Sequence, residues 1–350
     1  VTTQPPEPAA PHIRIEVDRG EVTIRQQRPA VLSSLVGKPV AAALPLVSAL
    51  LPVCGQAQSV AAGRAVAAAR RTAAAEGAGQ ARRLLREQAF AAAWRNCVDW
   101  PDLLGEERTM ADLGAVHRAG QDATRAAALA RLAPGLAEVR TLDQLLAWVA
   151  AGGCVGARVA QLALGTGRPL AAVRCLAGAP LCAIAAQALG REPFDPLQPW
   201  DGPVDVGSLA MARDPLVAVV QEQLGTTILA RLLAQLLDTR FICGALADTG
   251  AEMEAPADSW RIAERTGIGR AITARGPVFH RITLAADGAC SVADWRVLAP
   301  TDWHFSAAGP VAGGLRGMED AQAMRLLVAS YDPCAPWSLD QRGAVPRRHA

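Results

Sequence analysis

The chain has 350 residues, 51% of them hydrophobic and 19% charged, which excludes a disordered polypeptide and provides for about two domains or one large core. Its 35 Lys and Arg against 33 Asp and Glu leave a net charge of +2, so no nucleic acid or other polyanion is expected as a partner. Lys38 is the one lysine, and arginine carries the rest of the positive charge.

Residues 1–11 hold four prolines and no periodicity and read as a flexible tail. They have neither the basic nor the apolar region of a signal peptide. His12–Val17 and Glu21–Arg25 alternate apolar and polar residues around Asp18-Arg19-Gly20, which predicts a β-hairpin. Helical periodicity follows over Ala57–Glu76, Gly79–Trp94, Ala111–Leu132 and Thr141–Ala151, and the abundant alanine suits close helix–helix packing in a bundle. Gly152–Gly207 is punctuated by Gly and Pro, with one or two helices between. Asp214–Leu237 reads as one long helix opened by Asp214-Pro215. Ala271–Leu284 and Ser291–Leu298 read as strands joined near Asp287-Gly288, and Asp320–Ser330 as a last helix. The expectation is a mainly helical α+β chain with small β elements near both ends. One domain spans 12–338, with a C-terminal tail over 339–350.

The apolar stretches Ala41–Val53 and Leu176–Leu189 are too short for a membrane span and contain proline, so a cytoplasmic protein is expected. Gly37-Lys38-Pro39 lacks the glycine pattern of a P-loop. The arginines at 82, 83 and 86 read as a solvated helix face. The eight cysteines form no Cys-x-x-Cys pair and no zinc-ribbon spacing, and in a cytosolic protein each is by default a small buried hydrophobe.

Three segments stand out near the C-terminus. They are Arg275-Gly276-Pro277-Val278-Phe279-His280, Pro300-Thr301-Asp302-Trp303-His304 and Asp332-Pro333-Cys334. Their order resembles the C-terminal half of the nickel–iron hydrogenase large subunit, where Arg-Gly-x-Leu-x-His, Pro-(Ser/Thr)-x-Trp-Asn and Asp-Pro-Cys-x-x-Cys follow one another. The N-terminal hairpin, then Arg28 to Pro39, then Leu51–Gln58, is similar to that family's first cysteine segment, Cys-x-x-Cys-x-x-x-His. Ungapped, Cys54 falls on the second cysteine and Gln58 on the histidine; a three-residue gap would put Cys54 on the first.

The resemblance implies the large-subunit fold, and the departures from it bear on function. The family suspends nickel and iron from four cysteines. Here Cys54 and Cys334 remain, Cys334 at a nickel-only position, and Trp337 stands in the fourth place. Pro29-Ala30-Val31-Leu32 replaces an acidic segment, and no maturation cleavage site follows. The iron of the family carries two cyanides and one carbonyl. By resemblance Arg275 and Thr301 would hydrogen-bond the cyanides, Ala274, Val278, Ala299 and Pro300 would wall the carbonyl, and Cys54 and Cys334 would hold the metal. This combination resembles the HupK/HoxV class of hydrogenase maturation proteins. It implies a non-enzymatic scaffold for Fe(CN)2(CO) that takes no nickel. The implied partners are the hydrogenase large subunit precursor and HypC/HypD-type maturation proteins. Two alternatives stay open: a metal-free mimic that binds maturation proteins, and a reduced hydrogenase. At the residue level, Cys54 as a core cysteine, Arg275 in a structural ion pair, Thr301-Asp302 as a simple turn and His280 as a satisfied core histidine are also open.

Overall fold

The computed structural model describes residues 12–27, 31–74, 79–166, 173–198, 200, 202–248, 257–288 and 290–342. The tail expected at 1–11, and with it Arg28 and Pro29-Ala30 of the family comparison, lies outside the described residues. The hairpin forms as β1 (His12–Asp18) and β2 (Glu21–Gln27), paired antiparallel from His12 opposite Gln27 to Asp18 opposite Glu21.

Helices then follow: α1 (Gly55–Arg70), α2 (Gln80–Trp94), α3 (Met110–Arg118), α4 (Asp122–Ala130), α5 (Leu142–Ala151) and α6 (Val155–Leu164). α1 stops at Arg70, ahead of the expected Glu76, because Arg71 turns left-handed (φ 57°) and caps it. The expected helix Ala111–Leu132 is two helices, α3 and α4, parted at Ala119-Gly120-Gln121. β3 (Arg174–Cys175), α7 (Gly178–Gly190) and β4 (Val204–Asp205) occupy the Gly/Pro-rich stretch, β3 and β4 pairing in parallel.

The expected helix Asp214–Leu237 is also two: α8 (Pro215–Leu224) and α9 (Ile228–Ala247). Gly225 breaks the first with φ 63°, and Thr227 caps the second by accepting from the Ala230 N–H at 3.1 Å. α9 is buried without interruption from Ile228 to Thr239, as befits a central helix, and its buried Arg231 and Asp238 are paired with Asp205 and Arg213. β5 (Ala257–Ala263), β6 (Thr266–Thr273), β7 (Gly276–Leu284) and β8 (Val292–Leu298) make an antiparallel sheet in that order. The single strand expected over Ala271–Leu284 is therefore a hairpin, turning at Ala274-Arg275. The chain closes with α10 (Pro300–His304), α11 (Ala321–Ser330) and β9 (Trp337–Arg342). β9, unanticipated, pairs in parallel with β1 and runs past 339, where the tail was expected to begin; residues 343–350 of that tail lie outside the described residues.

Close helix–helix contact, as expected, occurs where Gly156 of α6 lies against Leu236 of α9, and helix on sheet packs equally closely. α1 lies directly on β6, its Ala57, Ala61, Ala62 and Ala65 fully buried. Gly267 and Gly269 permit this: a Cβ at 269 would sit 2.0 Å from the Ala61 carbonyl oxygen, and one at 267 would sit 2.2 Å from that of Ala65. Among the described residues no single helix is long and apolar enough to cross a membrane.

Candidate functional site

The residues singled out from the sequence come together where α1, the β6–β7 turn, α10 and the segment after α11 meet. Cys54, 7% exposed, is the N-cap residue of α1. Its side chain makes no cap bond, and the Glu87 carboxylate of α2 does that instead. Glu87 Oε1 accepts from the Gln56 N–H at 2.7 Å and Oε2 from the Ala57 N–H at 3.0 Å. These bonds satisfy two of the helix's orphan donors beside the thiol.

Arg275 projects from the β6–β7 turn, not from a strand interior. The turn is fixed by Thr273, whose Oγ1 donates to the Gly276 carbonyl (2.8 Å) and accepts from the Arg275 N–H (3.0 Å). Gly276 has φ 128°, and a Cβ there would lie 2.3 Å from the Val206 carbonyl oxygen, so only glycine lets the turn seat against β4. From this mount Arg275 Nη1 donates to the Cys54 sulfur at 3.7 Å. Its Nε donates to the Asp332 carbonyl at 3.0 Å, and Nη2 pairs with Asp332 Oδ1 at 3.2 Å. Burial opposes the charge on Arg275, but Asp332 and the Cys54 and Cys334 sulfurs outweigh it and hold its pKa above the ordinary guanidinium value.

Asp332 adopts a left-handed backbone (φ 46°) immediately after α11 and, with Pro333, turns the chain so that Cys334 faces α10. The Thr301 hydroxyl donates to the Cys334 sulfur at 3.0 Å and accepts from the Cys334 N–H at 3.2 Å. α10 is seated by Pro300 in its first turn and by Asp302 Oδ2, which accepts from the Ala299 N–H at 2.7 Å. Each of the two expected cyanide donors thus bonds one of the two expected metal-binding sulfurs. Val278 and Ala299 share one apolar cluster with Cys54, Ala57, Ala61, Leu84 and Ala271. Ala274 is buried in the Arg275 turn, and Pro300 is buried at the start of α10. Both cysteines are free thiols.

Burial pushes the Cys54 thiol up to about 12, with Glu87 and Cys334 adding to the shift and Arg275 opposing it. In the native protein at pH 8, Cys54 is therefore expected to be alkylated on the order of 10³-fold more slowly than in the denatured chain, since only the thiolate reacts. Timed carbamidomethylation read by mass spectrometry checks this; equal rates in both states would contradict the burial.

His280 is fully buried, and burial lowers its pKa to about 3. The Trp295 N–H donates to its Nδ1 at 2.9 Å, so the neutral ring carries its proton on Nε2 and donates to Gln58 Oε1 at 2.5 Å. It is a satisfied core histidine, and its partner is the residue aligned with the family's motif histidine. Trp337, in the place of the fourth cysteine, opens β9. Arg82 and Arg86 are bound to neighbouring elements: Arg82 donates to the Ala245 carbonyl at 2.9 Å, and Arg86 pairs with Asp122 at 2.6 Å.

Sequence reasoning missed three polar residues at this site: Glu87, Arg95 and Asp99. Arg95 and Asp99 lie on a π-helical turn (Arg95–Asp99) that continues α2, a deviation often found at functional sites. Arg95 Nη1 donates to Asp332 Oδ2 at 2.8 Å, with both residues buried. Burial, reinforced by Asp332, raises the Asp99 carboxyl to about 6. The available signal was Arg95-Asn96, two strongly polar residues interrupting an Ala-rich helix. An open cavity of about 950 Å³ reaches this point, lined among others by Val53, Glu87, Asp99, Arg275, Asp332 and Cys334. Among the described residues no group of three or more His, Cys, Asp or Glu is arranged to hold a metal ion.

No family model matches the chain. It is 34% identical over 122 residues to the hydrogenase expression/formation protein HupK of Bradyrhizobium diazoefficiens, covering 33% of each chain. It is 41% identical over 83 residues to the HupK protein of Azotobacter vinelandii, covering 22% of this chain and 23% of that one. The chain therefore spans a third or less of the length of these relatives. The likeness to the hydrogenase expression/formation protein HoxV of Cupriavidus necator is 28% and extends over 91% of this chain and 92% of the relative. In fold the chain matches the Ni-Fe-Se hydrogenase of D. vulgaris Hildenborough in its reduced state, with a TM-score of 0.51 at 15% identity over 91% of this chain and 94% of that one. The likeness to the HupK/HoxV hydrogenase expression/formation proteins and the large-subunit fold, both expected from the sequence, are thereby found.

Proposed function

We propose that this protein acts in hydrogenase maturation as a non-enzymatic scaffold that holds Fe(CN)2(CO) on Cys54 and Cys334 before the group passes to the hydrogenase large subunit precursor. HypC/HypD-type maturation proteins are the proposed donors. The names of the relatives support the maturation role. The observation that carries the scaffold reading is the pairing of Arg275 with Cys54 and of Thr301 with Cys334. A cyanide bound to iron keeps a basic nitrogen directed away from the metal, and a buried guanidinium and a hydroxyl beside the sulfurs can hydrogen-bond two of them. Carbonyl is a poor acceptor and suits the apolar wall of Val278 and Ala299. Two thiolates suffice for an iron that brings three ligands of its own. They are too few for a four-sulfur nickel site, and no nickel is proposed.

Charge supports the same reading. Arg95 and Arg275 share the Asp332 carboxylate, and Asp99 and Glu87 also act on Arg275, so two guanidiniums face three carboxylates around the sulfurs. Loading converts two thiols to thiolates, and the two guanidiniums would offset part of the negative charge gained.

The test is infrared spectroscopy of protein purified anaerobically from its host. Cyanide and carbonyl stretches are expected, and they should vanish in a Cys54→Ser, Cys334→Ser variant that remains folded. Protein that lacks these bands yet still co-purifies with maturation proteins would replace this reading with that of a metal-free mimic. Stoichiometric nickel with hydrogen-dependent dye reduction would make it an enzyme.

A further inference from the structure

Every donor nitrogen of Arg275 has a partner, while Nη1 and Nη2 each keep a second N–H for the cyanide role proposed above. Arg275 uses Nε and Nη2 on Asp332 and Nη1 on Cys54, and the Thr301 hydroxyl hydrogen goes to Cys334. Arg95 differs. It is 2% exposed, lies over the Trp100 ring at 5.6 Å, and spends only Nη1, on Asp332. Its Nε and Nη2 are buried with no hydrogen-bond partner. Buried N–H groups are rarely left without an acceptor, because the lost hydration is not recovered. Arg95 also lines the cavity that reaches Arg275, Asp332 and Cys334.

We propose that Arg95 is a third anchor for the iron–cyanide group, donating from Nε and Nη2 to an anionic ligand atom of that cargo while Nη1 stays on Asp332. The inference rests on the scaffold reading above. It adds a binding residue that neither the sequence motifs nor the engaged donors supply. The two idle N–H groups share the plane of the guanidinium, so they present a fork that a lysine cannot reproduce.

The experiment compares the wild-type full chain with Arg95→Lys and Arg95→Met, each purified anaerobically from the host. Bound iron is measured by metal analysis, the cyanide bands by infrared spectroscopy, and folding by circular dichroism and urea unfolding. Uptake of ferrous iron alone, without cyanide, serves as a probe of the two sulfurs. Arg95→Lys keeps a cation for Asp332 and should fold. It is expected to take ferrous iron like the wild type and to retain cyanide-bearing iron at least about ten-fold less well, or with shifted cyanide bands, as for one lost charge-assisted hydrogen bond. Wild-type retention with unchanged bands in Arg95→Lys would overturn the proposal and leave Arg95 as a partner of Asp332 only. The proposal is equally overturned if Arg95→Met alone loses the cargo and does so by unfolding. Absence of iron–cyanide from the wild type itself would instead overturn the scaffold reading.

Discussion

Asp332→Ala should lower the stability of the protein by about 3–5 kcal/mol, because it removes the one carboxylate in direct contact with both buried guanidiniums. Arg95 and Arg275 both pair with this carboxylate, and Arg275 also holds its backbone carbonyl. The left-handed backbone at Asp332 adds to the loss, since alanine tolerates φ 46° less well than aspartate or asparagine. Asp332→Asn separates the two causes. It keeps the backbone preference and removes the charge, so it should fall between the wild type and the alanine variant. Urea unfolding of the three proteins measures the order. A loss below about 1 kcal/mol for Asp332→Ala would mean that the arginines find other partners, and the charge argument for the site would fail with it.

Gly269→Ala is expected to be at least as damaging, for a reason independent of charge. The added Cβ would fall 2.0 Å from the Ala61 carbonyl oxygen and 2.5 Å from the Ala65 amide nitrogen. Both are backbone atoms of α1, so no side-chain rotation relieves the clash, and helix and sheet must separate. Overpacking of side chains costs about 1–3 kcal/mol, and a clash with backbone should reach or exceed the upper end of that range. Cys54 begins α1, so the displacement should also reach the site. Expression with near wild-type thermal stability would show that α1 does not sit on β6 as described.

The sequence was most readable where a local rule decides the structure. The β1–β2 hairpin follows from strict alternation around Asp18-Arg19-Gly20, and its register runs through all seven pairs. The breaks at Gly120 and Gly225 were less visible, because Ala- and Leu-rich helices on either side share one period and a single glycine does not announce a new axis. The turn at Ala274-Arg275 was hidden by apolar residues on both sides that read as one strand. Its signal was Gly276, whose conformation and contact with Val206 no alternation pattern encodes. The convergence of Cys54, Arg275, Thr301 and Cys334 was legible only as ordered motifs resembling a known fold. Glu87 and Arg95 carry no motif. Their placement depends on how α2 and its π-helical turn pack against α1 and Asp332, which is tertiary information.

The parallel pairing of β1 with β9 has a consequence for the order of events in the cell. His12 Nε2 and Ser338 Oγ lie 2.9 Å apart across a sequence separation of 326 residues. β1 is therefore translated long before its neighbour exists, and Cys334 emerges only just ahead of β9. Contacts of such separation close late, after the loop entropy between them has been overcome. The two sulfurs accordingly become neighbours at the end of folding, on a chain translated at least as far as β9. Of these two sulfurs, a nascent chain on the ribosome presents that of Cys54 first. On the proposed scaffold reading, cargo that needs both sulfurs would be accepted only after β9 has paired, and unfinished molecules would be passed over without any separate checkpoint.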